Sequence, residues 1–279
     1  MTGSFTIKTI KLTLTYSGKQ HTVEGLACTV DVTKPGLPEK NSASVSVWGL
    51  KYELMEELTM LAFRPLESEK NQIMIEAGDK DGQLSVVFKG EIVSASADYN
   101  DAPNIAMKFE AESGAYPQQI AEPVLTVDGE AKASDLFSKW ASAMGYAFKD
   151  ENLTASVKNA WFSGSPINKA YKLSRDINCE LYIDDDQVVV MPAGQAREGN
   201  AVLLNKDSGL IGYPVFNQDG IVCRCLYNPD LIYGGLVKVE SIVPKASGVW
   251  RITKLTHSLS AYEPSGGNWE SQIEAQDYE

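Results

Sequence analysis

Few side chains in this sequence can do catalytic or metal chemistry, and their spacing narrows what they could do. There are two histidines. His21 lies beside an expected strand start and His257 inside another strand. Neither comes with a G-x-S-x-G elbow of the kind that exposes a nucleophilic serine, so both rings read as structural or exposed. The four cysteines are Cys28, Cys179, Cys223 and Cys225. Cys223 and Cys225 flank Arg224 on one expected strand, so their thiols share a face and could reach one ion. A structural zinc site needs four ligands, and no second C-x-C or paired histidine supplies the others. Small residues on a buried strand face, with reduced thiols, are the simpler reading.

Carboxylates are plentiful and therefore uninformative one by one. Asp184-Asp185-Asp186 could hold a hard cation. Asp79-Lys80-Asp81-Gly82 resembles half of a calcium loop, but Phe88 stands where the closing glutamate belongs. Both runs fall at expected hairpin turns, where aspartate serves local hydrogen bonds. With 37 Asp and Glu in the chain, acidic pairs are inevitable and do not single out a glycosidase. No phosphate-binding glycine loop is present. Trp48, Trp140, Trp161, Trp250 and Trp269 are scattered, without the basic stripe that single-strand binding requires. The chain reads as no enzyme, with no cofactor and no metal site.

The elements that position these residues are mostly strands. Ile10, Leu12, Leu14 and Tyr16 alternate with polar residues; Phe5 and Ile7 have the opposite parity, which predicts a bulge near Lys8-Thr9. Alternation recurs at Leu26, Cys28, Val30 and Val32, and at Ala43, Val45 and Val47 against Ser42, Ser44 and Ser46. Leu50, Leu54, Leu58 and Leu61 recur at helical spacing and predict one amphipathic helix ending before Pro65. Strands follow at 72–77, 84–92 and 105–111, the first two joined by an Asp-Gly turn. Composition shifts at 117–123. A helix capped by Ser134 carries Leu136, Phe137, Trp140, Ala141 and Met144 and ends at Gly145; a second begins at Pro166 and leads into a hairpin at 179–191. The last third returns to strands at 221–227, 236–242, 249–262 and 269–276. The fold expected is mainly β with an α+β insert: residues 1–115 and 201–279 as antiparallel β-barrels, and 116–200 as a small helix-plus-hairpin module.

Size and charge are consistent with that plan. At 279 residues the chain is long enough for two or three domains. Apolar residues at 43% and charged residues at 22% describe an ordinary folded protein. Lys and Arg number 25 against 37 acids, a net charge of −12, which suits a protein that does not grip phosphate backbones. The start, MTGSFTIKTIKLTLTY, alternates and predicts no secretion leader, and no apolar run is long enough to predict a membrane span.

The order of these elements resembles a known family. Ala43-Ser-Val-Ser-Val-Trp-Gly-Leu50 followed by a short acidic helix, Ile73-Met-Ile-Glu-Ala-Gly78 and Val87-Phe-Lys-Gly-Glu-Ile92 is similar to the N-terminal barrel of baseplate hub proteins of contractile bacteriophage tails. These belong to the wider tail-tube fold. Gly209-Leu-Ile-Gly-Tyr-Pro214, Cys225-Leu-Tyr-Asn-Pro-Asp230, Gly235-Leu-Val-Lys-Val-Glu-Ser241 and Gly248-Val-Trp-Arg-Ile-Thr-Lys-Leu-Thr-His257, with Trp269 opening the last strand, resemble the second barrel. The resemblance implies a structural virion protein, assembled in the host cytoplasm, whose homotrimer forms a pseudo-sixfold ring. That ring would join the sixfold tail tube, or a tube-initiator ring, to the threefold central spike, beside other baseplate proteins. DNA would pass through without specific binding. In such a ring the wall should be acidic or neutral, and Glu270, Gln272, Glu274 and Gln276 with Ser42, Ser44 and Ser46 are the candidate lumen-lining residues. Two rival readings remain, a tail-associated cell-wall hydrolase and a peripheral baseplate or receptor-binding protein.

Overall fold

The computed structural model describes residues 6–278 except 17, 37–38, 63–70, 117–121 and 265, and the side chains of 60–62 are also outside the description. The first part holds β1 (Lys8–Tyr16), β2 (Lys19–Glu24), β3 (Cys28–Lys34), β4 (Ser42–Trp48), α1 (Tyr52–Ala62), β5 (Gln72–Asp79), β6 (Ser85–Asp98) and β7 (Ala106–Glu112). The middle holds β8 (Leu125–Thr126), β9 (Glu130–Lys132), α2 (Ala133–Met144), β10 (Ala147–Asp150), β11 (Ser156–Lys158), β12 (Trp161–Phe162), α3 (Pro166–Asp176), β13 (Cys179–Asp184) and β14 (Gln187–Pro192). The last part holds β15 (Val202–Leu204), β16 (Leu210–Phe216), β17 (Ile221–Leu226), β18 (Leu236–Val239), β19 (Gly248–Ala261) and β20 (Trp269–Asp277).

The strands of the first and last parts form one 13-stranded sheet in the order β16-β17-β20-β19-β3-β4-β7-β6-β5-β1-β2, with β18 paired to β19 and β15 to β18. Strand β19 is the joint. Its first residues pair with β18, and its last seven pair with β3 from Leu255↔Lys34 to Ala261↔Cys28. Alternation explains the burial: Val30, Val32, Val45, Val47, Phe109, Leu259 and Ala261 all point to one core, so a strand from the last third completes the core of the first. A second core around Leu204, Cys223, Val237, Leu255 and Ile273 lies under the last part.

The middle module has its own core. Trp140 meets Phe137 and Phe162 edge-on at centroid distances of 6.1 and 5.1 Å, geometry worth about 0.5–1.5 kcal/mol per pair beyond burial. Helix α2 buries Leu136, Phe137, Trp140, Ala141 and Met144 and ends at Gly145, whose φ of 75° is the left-handed cap that glycine adopts without strain. Helix α3 begins at Pro166. Among the described residues no helix is long and apolar enough to cross a membrane.

Three local expectations need correction. No bulge lies at Lys8-Thr9: β1 pairs with β5 without a shift from Lys8↔Asp79 to Thr15↔Gln72. Ile7 stays 59% exposed, so nothing has to turn it inward; Phe5 lies outside the described residues. Ser134 does not cap α2. The cap position lies two residues earlier, at Lys132, which contributes no side-chain cap, and the helix starts at Ala133. Leu50 precedes α1 and packs on the core from the loop, while Leu58 and Met55 supply the buried face. Leu61's side chain and Pro65 lie outside the described residues.

Because β19 serves both cores, damage at its C-terminal half should be felt far away in sequence. Leu259→Ala is expected to lower the unfolding free energy by about 2–5 kcal/mol. Hydrogen exchange should show lost protection in β4 and β7 as well as in β19. A loss confined to the last third would contradict the shared core.

Candidate functional site

The two strips singled out in sequence lie on one face of the large sheet. Residues directly opposite each other in an antiparallel pair point to the same side. One row therefore runs Glu270, Ser258, Asp31, Ser44, Glu110 and Ser94 across β20, β19, β3, β4, β7 and β6. A second runs Gln272, Thr256, Thr33, Ser42 and Glu112, and a third Ser260, Thr29, Ser46, Lys108 and Ser96. Ser42, Ser44, Ser46, Glu270, Gln272 and Glu274 thus share a single polar surface. Gln276, at the end of β20, opposes Arg251 beyond a register shift.

Short hydroxyls and carboxylates dominate this face and bond to each other. Ser258 Oγ donates to Asp31 at 2.7 Å and Ser44 Oγ to Glu110 at 2.9 Å. Among the described residues its cations are all engaged. Lys108 binds Asp98 at 2.8 Å, Lys254 binds Glu274 at 3.3 Å, and Arg224 Nη2 donates to both oxygens of Glu270 at 2.9 and 2.7 Å. The hydrogen bond from Lys108, with those from Asn100, holds the Asp98 carboxyl down at about 2. Acidic side chains (Asp31, Asp98, Glu110, Glu112, Glu270, Glu274) outnumber basic ones (Lys108, Arg224, Lys254) here.

Asp184-Asp185-Asp186 forms the expected hairpin turn, with Asp185 at φ 55°. Its carboxylates reach across to the large sheet. Lys34 binds Asp184 at 2.9 Å, Arg197 binds the other Asp184 oxygen at 2.8 Å, and Asp185 accepts the Lys89 backbone N–H at 2.9 Å. Burial pushes the Asp184 carboxyl up, yet Lys34 and Arg197 outweigh it and hold the group at about 2. For Asp185 burial prevails and the value is raised. Nearby, Tyr146 donates to buried Glu91 at 2.7 Å and Asn41 Nδ2 to the Ile183 carbonyl at 2.8 Å. Arg251 ties the module to β19, donating to the Gln195 carbonyl at 2.6 Å and pairing with Glu180.

The other residues singled out are the histidines and the cysteines. His257 is buried, bonded through Nδ1 to Ser271 Oγ at 2.8 Å, and burial, assisted by Lys34, lowers its pKa to about 3. His21 stacks on Tyr16, its Nε2 2.9 Å from the phenol oxygen. All four cysteines are free, and burial raises Cys28, Cys179 and Cys225 to about 12 and Cys223 to about 11. Among the described residues no group of three His, Cys, Asp or Glu side chains could hold a metal ion.

The chain is mostly β, built of antiparallel sheets, and its fold is like that of phage tail proteins. It is similar over 96% of both chains to a tail protein from Neisseria meningitidis MC58 (TM-score 0.66, 11% identity). It is also similar to the 43 kDa tail protein of prophage MuSo2 from Shewanella oneidensis (TM-score 0.61, 9% identity, 95% and 96% covered). A third likeness is to the E. coli c3393 protein, a type VI secretion component described as structurally similar to T4 tail proteins gp27 and gp5 (TM-score 0.59, 10% identity, 91% and 74% covered). No curated protein matches the chain in sequence. The family described as Baseplate hub gp41 matches residues 9–264, and the chain belongs to it. It is thus a component of the virion tail, from a family of structural proteins.

Two titrations follow. Asp184 has a folded pKa below its ordinary 3.8, so its pairing stabilises above about pH 4 and is lost as pH falls towards 2. His257 is kept neutral in the fold, while the unfolded ring takes up a proton from about 6.5 downward, so stability falls as pH drops from 6.5 towards 3. His257→Gln should flatten the urea-unfolding pH profile between 6.5 and 4. Asp184→Asn should cost about 3–5 kcal/mol at pH 7, because it leaves buried Lys34 with the more distant Asp185 carboxylate, 3.8 Å away, and takes a carboxylate from Arg197. An unchanged profile in the first variant, or a neutral second one, would contradict these assignments.

Proposed function

We propose that three copies of this chain form a hub ring whose wall is the polar sheet face, joining the sixfold tail tube, or its initiator ring, to the threefold central spike. The observation that carries this reading is the composition of that face. It crosses both strand-rich parts without a break, it is acidic on balance, and each of its cations is already paired. DNA carries one charge per ~1.7 Å of axis, and every phosphate contact made by a free cation would slow its passage. A wall of serine, threonine and carboxylate offers no grip, and its repulsion acts within a Debye length of ~8 Å at physiological salt.

In this reading residues 1–115 and 201–279 are each a tube-like barrel, so that three chains present six. The middle module, 116–200, packs outside the ring, where other baseplate proteins meet it. The family, and the described likeness of the c3393 protein to gp27 and gp5, support the hub role. The chain performs no catalysis and binds no cofactor.

Native mass spectrometry of the chain with its spike partner tests the assembly: three copies are expected, and two or six would reject the ring. The wall is tested separately. Ser46→Lys with Gln272→Lys adds cations that face no carboxylate directly across the sheet, Ser46 lying between Thr29 and Lys108 and Gln272 between Thr256 and Arg224, and tails carrying the pair should assemble normally yet release DNA more slowly. An unaltered release rate would reject the channel assignment.

A further inference from the structure

The small sheet of the middle module has the order β10-β14-β13, so β13 ends it. Leu181 on β13 stands opposite Val190, whose carbonyl is turned to the far side of β14 and accepts the Glu151 N–H at 2.9 Å. In an antiparallel pair both members turn their backbone groups either towards each other or apart, so the N–H and C=O of Leu181 point away from β14. Ile183, two residues on, points the same way, and its carbonyl accepts the hydrogen bond from Asn41 Nδ2 at 2.8 Å. Leu181 has no such partner. It is 1% exposed, and among the described residues neither its N–H nor its C=O is bonded. Buried backbone groups are nearly always paired, which makes this orphaned pair a ready site for one more strand.

A hollow of about 750 Å³ lies beside that edge, lined by Cys179 and Leu181 of β13, by Tyr171 and Arg175 of α3, and by Tyr182 and Tyr233. The acid within it is already engaged: Glu180 accepts the Gly194 N–H at 3.0 Å and pairs with Arg251. Arg175 is not. It is exposed in the last turn of α3, and among the described residues it pairs with no carboxylate, in a chain of net charge −12. Orphaned main-chain groups select a polypeptide in extended form, the tyrosines select an apolar side chain, and the free guanidinium selects a carboxylate.

We propose that the β13 edge takes an extended segment of another tail protein as a fourth strand of the module's sheet, its backbone bonded to Leu181, an apolar residue of it against Tyr171 and Tyr233, and an acidic one on Arg175. The proposal rests on the hub reading, in which this module lies at the periphery, and names how a neighbour is held there. The occupant is a different protein because, in that reading, the copies of the ring meet through their strand-rich parts and leave the module turned outward.

Ala193→p-benzoylphenylalanine, at an exposed residue on the same hollow, tests it in assembled tails. Photolysis should link the label to one segment of a different tail protein, with Asp or Glu close to an apolar residue. A synthetic peptide of the linked segment should bind the purified chain and slow hydrogen exchange of the Leu181 amide at least about tenfold. Methylating every second amide of that peptide should abolish binding in one phase and spare it in the other, because only one edge of an added strand faces β13. Arg175→Glu should weaken peptide binding at least about tenfold, with the chain still folded by circular dichroism. Linkage to a second copy of this chain or to no protein, binding that survives methylation in both phases, or binding indifferent to Arg175→Glu would overturn the proposal. A threefold ring whose label links to no neighbour overturns this contact alone. A ring of another copy number to which the peptide still binds overturns the threefold reading and leaves the contact standing.

Discussion

Everything in this fold depends on the pairing of β19 with β3. Seven consecutive residue pairs bring the last third of the chain against the first. Closing so long a loop is entropically costly, though the cost grows only slowly with length, and a shared core offsets it. The ladder places Leu259 and Ala261 in the N-terminal core while Leu255, on the same strand, serves the C-terminal one. It also sets Thr256, Ser258 and Ser260 between the polar strips of β3 and β20. Without it the two strips would be separate surfaces.

The middle module is held against this joint by buried charge. Desolvating Lys34, Arg197, Asp184 and Glu151 opposes folding, and the compensation comes from mutual contacts, with Arg197 Nε 3.6 Å from Glu151. Such a cluster discriminates strongly between docked and undocked arrangements, because moving any one partner strands the others. Apolar packing at Tyr182 and Tyr233, edge-on at 4.9 Å, adds area on the same side. The result is a module fixed in orientation at the junction of the two strand-rich parts.

Sequence made the strands and helices legible wherever parity or helical spacing was undisturbed: β4, β20, and the buried stripe of α2. It did not show which strands are neighbours. Ser258 and Asp31 are 227 residues apart, and Lys34 and Asp184 are 150 apart, so no local pattern links them. The aspartate triplet read as turn chemistry because its partners lie on another element. Short strands such as β2, with its mixed polar sequence, and β16, whose edge position leaves both faces exposed, break the alternation rule and were missed.

In the proposed hub the polar face is a wall: its described cations are paired in place, and its remaining groups are short and hydrated. Its acidity has a mechanical sense only if it surrounds an axis. A cryo-electron microscopy map of the assembled ring, at a resolution that places side chains, tests this most directly. The account predicts Ser44, Asp31, Ser258 and Glu270 in circumferential rows on the inner wall, with 116–200 at the periphery. A map in which those residues face outward, or in which unpaired lysines or arginines line the lumen, would contradict it.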